Sequence, residues 1–201
     1  MPFRSLNIDT GETLKIEQYA HPKVDLQGIQ LGCPFCKHEM FIRGGIGKHV
    51  TAHFVHKSIC QAHIAHGKGN GESPEHRVAK QYFLNELQQV NKQHVQGGEL
   101  TYDMEVTLKR DDVWRIIDIA EIDNNGRIVR AFEIQLSGIS LDNLKERTQD
   151  YESFGIDVVW IFGKTANTSE NREWCLQNIG FCGIVKIEHR VVTTQDILEA
   201  S

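Results

Sequence analysis

The chain has 201 residues, of which 40% are hydrophobic and 24% charged, and its formal net charge is −5. It has no apolar run of about 18 residues and no charged-then-apolar leader, so neither a membrane span nor a secretory signal is expected, and the protein reads as cytoplasmic. Residues 1–97 carry a balance of +3 and nine of the ten histidines, whereas residues 98–201 carry −8; a generally basic nucleic-acid binder is excluded, and any polyanion must be attracted locally, by the N-terminal part or by bound metal.

Residues 1–31 contain short alternating stretches (13–18 and 24–31) with turns at Gly11 and near Pro22, which predicts small strands leading into a cysteine pair. Five cysteines, an odd number with one Cys-x-x-Cys, suit a reducing compartment and metal ligation better than a disulfide framework. Cys33, Cys36, His56 and Cys60 follow the spacing C-x2-C-x19-H-x3-C of a structural zinc site. Two thiolates on a tight turn and a His/Cys pair one turn apart can close a tetrahedron, and such a site adds folding energy to a module with little core. His53, His63 and His66 are rival ligands, and spacing favours His56. Phe35, Phe41 and Phe54 interleave with Lys37, Arg43, Lys48 and Lys57, a pattern that serves either base stacking or the module's own core. Cys175 and Cys182 read as ordinary buried thiols.

Three glycines in residues 67–71 mark a linker. A helix is expected just after it: Ser73 suits the N-cap, Pro74 the first helical position and Glu75 the dipole, while Val78, Ala79, Tyr82, Phe83 and Leu87 form an apolar stripe. Gly97-Gly98 closes the connection. Then come a strand (100–108), two further strands (113–123 and 127–137), a helix (141–154) that Ser140 caps and Gly155 ends, and a buried strand (157–162). A helix (170–178), a strand (184–192) and a short C-terminal helix complete a mixed α/β order.

The middle strands hold the sharpest signal. If Asn125-Gly126 is a two-residue type I′ turn, opposed residues sum to 251, so Asp118 faces Glu133, Ile119 faces Phe132, and Glu121 faces Arg130 with opposite charge. Alternation then puts both carboxylates on an apolar face with Ile116, Ala120, Ile122, Val129 and Ala131. Like charges opposed on such a face are costly, and a shared Mg²⁺ or Mn²⁺ removes the cost. With a three-residue loop the register slips by one, and Asp118 meets an arginine or solvent instead.

The chain resembles the competence protein CoiA-like family over roughly residues 30–162. The resemblance rests on CPFC, HFVH (53–56), ESPEHRVAK (72–80), the isolated Asp118, AFEIQLS (131–137), and Leu144, Arg147 and Tyr151 before VVWIF. It implies a zinc-binding N-terminal module (1–70) joined to a restriction-endonuclease-like, PD-(D/E)xK-type nuclease domain (71–201), a mixed sheet flanked by helices, that processes DNA. On this reading Asp118 and Glu133 hold the catalytic Mg²⁺ or Mn²⁺ with the Ile134 carbonyl. Gln135 occupies the place of the motif's lysine, where an amide orients water but supplies no charge. Glu72, His76 and Lys80 match the family's helix signature; they complete the metal shell, position water or supply the missing cation. Arg147 and Tyr151, four apart, suit a phosphate contact or packing. The expected partner is nucleic acid, which the resemblance implies is DNA, with a protein partner or a second copy left open and no membrane. The competing reading is a catalytically inactive nuclease fold that binds DNA or protein. A zinc module that is itself catalytic requires an open coordination position.

Overall fold

The structure, a computed structural model, describes residues 4–34, 36–45, 52–57, 73–93, 100–110, 113–188 and 191–199. Phe35, Lys48, Cys60, His63, His66, Glu72, the expected linker at 67–71 and Gly97-Gly98 lie outside the described residues. The chain divides into two compact units, residues 1–74 and 75–201.

In the first unit, β1 (Arg4–Asn7), β2 (Thr13–Lys15) and β3 (Leu31–Gly32) form a sheet in the order β2-β1-β3, and β4 (Met40–Arg43) pairs antiparallel with β5 (His53–His56). Leu14, Ile16, Leu26, Leu31, Cys33, Met40 and Phe54 make its core. The strand expected over 24–31 is reduced to Leu31–Gly32, because Pro22 opens a single helical turn, α1 (Pro22–Asp25). The Asp25 carboxylate reaches back to accept the His21 N–H at 2.8 Å, which satisfies a donor that the short helix leaves over.

In the second unit the order is α2 (Pro74–Gln93), β6 (Thr101–Arg110), β7 (Val113–Ile122), β8 (Ile128–Gln135), α3 (Leu141–Ser153), β9 (Asp157–Phe162), α4 (Ser169–Asn178), β10 (Phe181–Glu188) and β11 (Val191–Glu199). Six strands form one mixed sheet in the order β11-β10-β9-β8-β7-β6, with β9 parallel to both its neighbours and the other pairs antiparallel. The C-terminal helix expected from sequence is instead β11. Ile184, Val185 and Ile187 on β10 and the β-branched run 191–194 fit a pleated pair better than a helix, and β10 supplies the hydrogen-bonding edge.

The sheet is covered on both faces. Ala79 and Leu84 of α2 pack with Met104, Ile119, Phe132, Ile134, Val159 and Ile161. On the opposite face, Leu144 and Tyr151 of α3 and Cys175 of α4 pack with Ile117, Ala120, Ala131, Val158, Trp160 and Phe162. Helix α3 begins and ends as its sequence predicts. Ser140 accepts the Asn143 N–H at 3.3 Å, and Gly155, at φ +71°, lets the Ile156 N–H return to the Tyr151 carbonyl at 3.0 Å. Ser140→Ala is expected to lower stability by about 1 kcal/mol, read as a fall in thermal midpoint with no change in fold.

The β7–β8 hairpin reaches the expected register by an unexpected route. The loop is three residues: the Gly126 N–H meets the Asp123 carbonyl, the Asp123 N–H meets the Arg127 carbonyl, and Gly126 takes φ +76°. The Asp123 carboxylate accepts the Asn125 and Arg127 N–H groups at 2.9 Å each, and these bonds, Arg127's foremost, hold its pKa below the usual value. Alone, that loop shifts every pair by one. An irregularity between Glu121 and Ile122 puts the register back, so that Glu121 faces Arg130, Ala120 faces Ala131 and Ile119 faces Phe132.

Candidate active site

Beyond the Ile119–Phe132 rung the ladder between β7 and β8 stops. There the Asp118 Oδ2 accepts the backbone N–H of Ile134 at 3.0 Å, so a side-chain carboxylate takes a donor that a strand neighbour would otherwise bind. The same oxygen lies 3.1 Å from His76 Nε2, and Oδ1 lies 3.9 Å from the Lys80 ammonium. His76 and Lys80 come from one face of α2, as their spacing of four predicts. Glu133 is held by α3 instead: Tyr151 donates its hydroxyl to Oε1, and the Arg147 guanidinium pairs with Oε2. Lys80, Asp118 and Glu133 are all at most 4% exposed, and charges so buried persist only when they are paired.

Strict alternation does not hold through the site. Ile117 and Ala120 pack on the α3 side while Ile119 packs on the α2 side, so β7 changes face at residue 118. Strand β6 does the same one strand over, with Met104 on the α2 side and Val106 and Leu108 on the other. The flanking rungs are Met104–Ile119 and Val106–Ile117, and the residues between them are Asp118 and Glu105. Glu105 has φ +53° and accepts from Lys80 Nζ at 2.8 Å. Sequence reading missed it. Under perfect alternation it takes the face opposite Met104 and Val106, and only the broken parity of those neighbours distinguishes it.

The two acids nevertheless belong to one electrostatic cluster. Burial pushes the Tyr151 hydroxyl well above its usual pKa, Glu133 pushes it further, and Asp118 adds to the effect. Tyr151 therefore stays a protonated donor toward Glu133. Burial opposes the charge on Arg147, yet Glu133, then Tyr151 and Asp118, outweigh it and raise that pKa. Arg147 also lies over the Trp160 ring, 4.9 Å from its centroid, and donates to Gln135 Oε1 at 3.2 Å. The Gln135 amide donates to the carbonyl and hydroxyl of Ser137 at 2.8 and 3.0 Å. Tyr151 is fully buried, so its hydroxyl addresses Glu133 rather than the surface. Arg147 is about a quarter exposed, and reaches solvent.

In the first unit, Cys33, Cys36 and His56 have ligand atoms within 4.8 Å of one another, the sole such group of three among the described residues. The Cys33 N–H meets the His38 carbonyl at 2.9 Å and the Lys37 N–H meets the Cys33 carbonyl at 3.0 Å, folding the cysteine pair into a tight turn with Lys37 at φ +61°. Cys36 Sγ lies 3.5 Å from His56 Nε2. A tetrahedral zinc with ordinary bond lengths sets that edge at about 3.6 Å, so the residues fit such a metal. Burial, and then the charge of His38, lower the His56 pKa and favour the neutral ring that ligation needs. His56 arrives on a strand rather than on a helical turn. His53 lies an odd number of residues before it on β5, and alternation turns it to the other face. Phe54 joins the core, whereas Phe41 is exposed.

Fold and site together define a mixed α/β domain with helices on both sheet faces and a buried cluster of acids and cations where two central strands part. Residues 72–193 match the family model described as Competence protein CoiA, nuclease-like domain. The chain belongs to this family, as its motifs led us to expect, and carries a nuclease-like domain. Searches of curated proteins and of solved structures return no match. Among the described residues, no helix is long and apolar enough to cross a membrane.

Proposed function

We propose that the second unit is a metal-dependent deoxyribonuclease of the PD-(D/E)xK type, with a restriction-endonuclease-like core, and that the first is a zinc-binding module. The observation that carries this reading is a pair of buried carboxylates, Asp118 and Glu133, in one charged cluster of a nuclease-like domain. They offer hard oxygens of the kind Mg²⁺ and Mn²⁺ select, and with the Ile134 carbonyl they would hold such an ion. When bound, it polarises the scissile phosphate and lowers the pKa of water.

The remaining residues act on the two acids and on the substrate. His76 and the Ile134 N–H orient Asp118, and Tyr151 orients Glu133. Lys80 supplies the positive charge that Gln135 does not. Gln135, which bonds to Arg147 and Ser137, would orient water, and the exposed part of Arg147 would meet a phosphate. Glu72 belongs to the same helix signature and lies outside the described residues. Purified protein is expected to cut DNA with Mg²⁺ or Mn²⁺, and Asp118→Ala or Glu133→Ala to abolish cutting with the fold retained. Cleavage that survives in either variant rejects the site.

Two observations favour a second reading, an inactive nuclease fold that binds DNA or protein: Arg147 already pairs with Glu133, and the motif's lysine is glutamine. That reading requires binding indifferent to chelation of Mg²⁺ and no turnover with any metal. For the first unit, Cys33, Cys36 and His56, with Cys60 as fourth ligand, would hold structural zinc. About one zinc per chain is expected by elemental analysis, and Cys36→Ser is expected to lose it together with thermal stability, as zinc binding and folding are coupled in small modules. Full retention of zinc by the variant removes Cys36 from the ligand set.

A further inference from the structure

Glu105 is a non-glycine residue in the middle of a strand with φ +53°, a strained conformation that persists where its surroundings impose it. Its carboxylate meets the Lys80 Nζ of α2 at 2.8 Å, while the same ammonium lies 3.9 Å from Asp118. Lys80 is therefore bonded to the acid outside the proposed metal site and only near the acid within it.

We propose that Glu105 is a positioning residue of the nuclease site: by binding the Lys80 ammonium it keeps that cation from closing on Asp118, so that the aspartate can take a divalent ion while a fixed positive charge stands beside it. The proposal rests on Asp118 being a metal ligand. Without the charge at 105, Lys80 closes the remaining gap and competes with the divalent ion for the same carboxylate oxygen.

The test is a double-variant cycle read by Mn²⁺ affinity, measured calorimetrically on the full chain and taken as the binding lost in Asp118→Ala. Glu105→Gln keeps size and removes charge; it is expected to weaken Mn²⁺ binding about tenfold, the equivalent of roughly 1.4 kcal/mol. In a Lys80→Met background the same substitution is expected to change nothing, since the competitor is gone. Glu105→Gly, at ease at this φ, carries the same expectation should Glu105→Gln fold poorly. Mn²⁺ affinity unchanged in folded Glu105→Gln or Glu105→Gly, whatever happens to the melting temperature, reduces Glu105 to structural support and overturns the proposal. Weakening that persists in Lys80→Met overturns it too, because Glu105 then acts without the lysine. If Asp118→Ala removes no Mn²⁺ binding from the wild-type chain, the metal-site reading itself fails and this proposal falls with it.

Discussion

Glu133→Gln and Asp118→Asn are each expected to lower Mg²⁺-dependent DNA cleavage about a thousandfold, the equivalent of roughly 4 kcal/mol of transition-state stabilisation. These isosteres are sharper probes than alanine because they leave the packing in place. An asparagine carbonyl at 118 still accepts the Ile134 N–H, and a glutamine carbonyl at 133 still accepts the Tyr151 hydroxyl. What each variant loses is one negative charge. Arg147 remains held at Gln135 Oε1 and over Trp160, with its exposed part hydrated, so Glu133→Gln leaves no fully stranded cation. Circular dichroism and melting curves close to wild type, together with lost cleavage, are the expected combination. Substantial cleavage by either isostere shows that its carboxylate charge is not needed, and the acid pair then has a structural role alone.

The β7–β8 pairing was legible because two independent signals converge: the turn residues at 125–126 and the opposite charges of Glu121 and Arg130, which face each other. The route was not legible. A three-residue loop and a compensating irregularity between Glu121 and Ile122 are two departures of one residue each, and a residue count sees only their sum. The face of Asp118 was misread for a related reason. Periodicity assumes that parity survives along a strand, while β6 and β7 both change face at the Glu105/Asp118 position, and no sequence pattern announces a positive φ at a glutamate. The same assumption hid Glu105. At the C-terminus the error was of element type: 191–199 has too short an apolar pattern to separate strand from helix, and the hydrogen-bonding edge of β10 decides. The cysteine pair and His56 were read correctly as a group because ligand spacing reflects the chemistry of the site directly, whichever secondary structure delivers the histidine.

Arg147→Met is expected to cost about 3–5 kcal/mol of stability in metal-free buffer, and to regain much of it when Mn²⁺ is added. Methionine keeps most of the side-chain volume against Trp160, so the loss is chiefly electrostatic. Glu133, 1% exposed, then retains the Tyr151 hydroxyl but not the guanidinium, and a buried carboxylate that loses a counter-charge opposes folding. A divalent ion at the acids replaces the missing positive charge. At a hundredfold excess over its dissociation constant, a ligand that binds only the folded state adds about 2.7 kcal/mol. The wild-type chain gains less from the same addition, because its Glu133 is already neutralised by Arg147, and the ion has to displace that pairing before it can bind. The measurement is therefore a comparison of two shifts: the rise in melting temperature on adding Mn²⁺ is larger in Arg147→Met than in wild type. Equal shifts, or none in the variant, mean that guanidinium and metal do not compete for Glu133, and that carboxylate then belongs to a structural ion pair on the α3 face of the sheet.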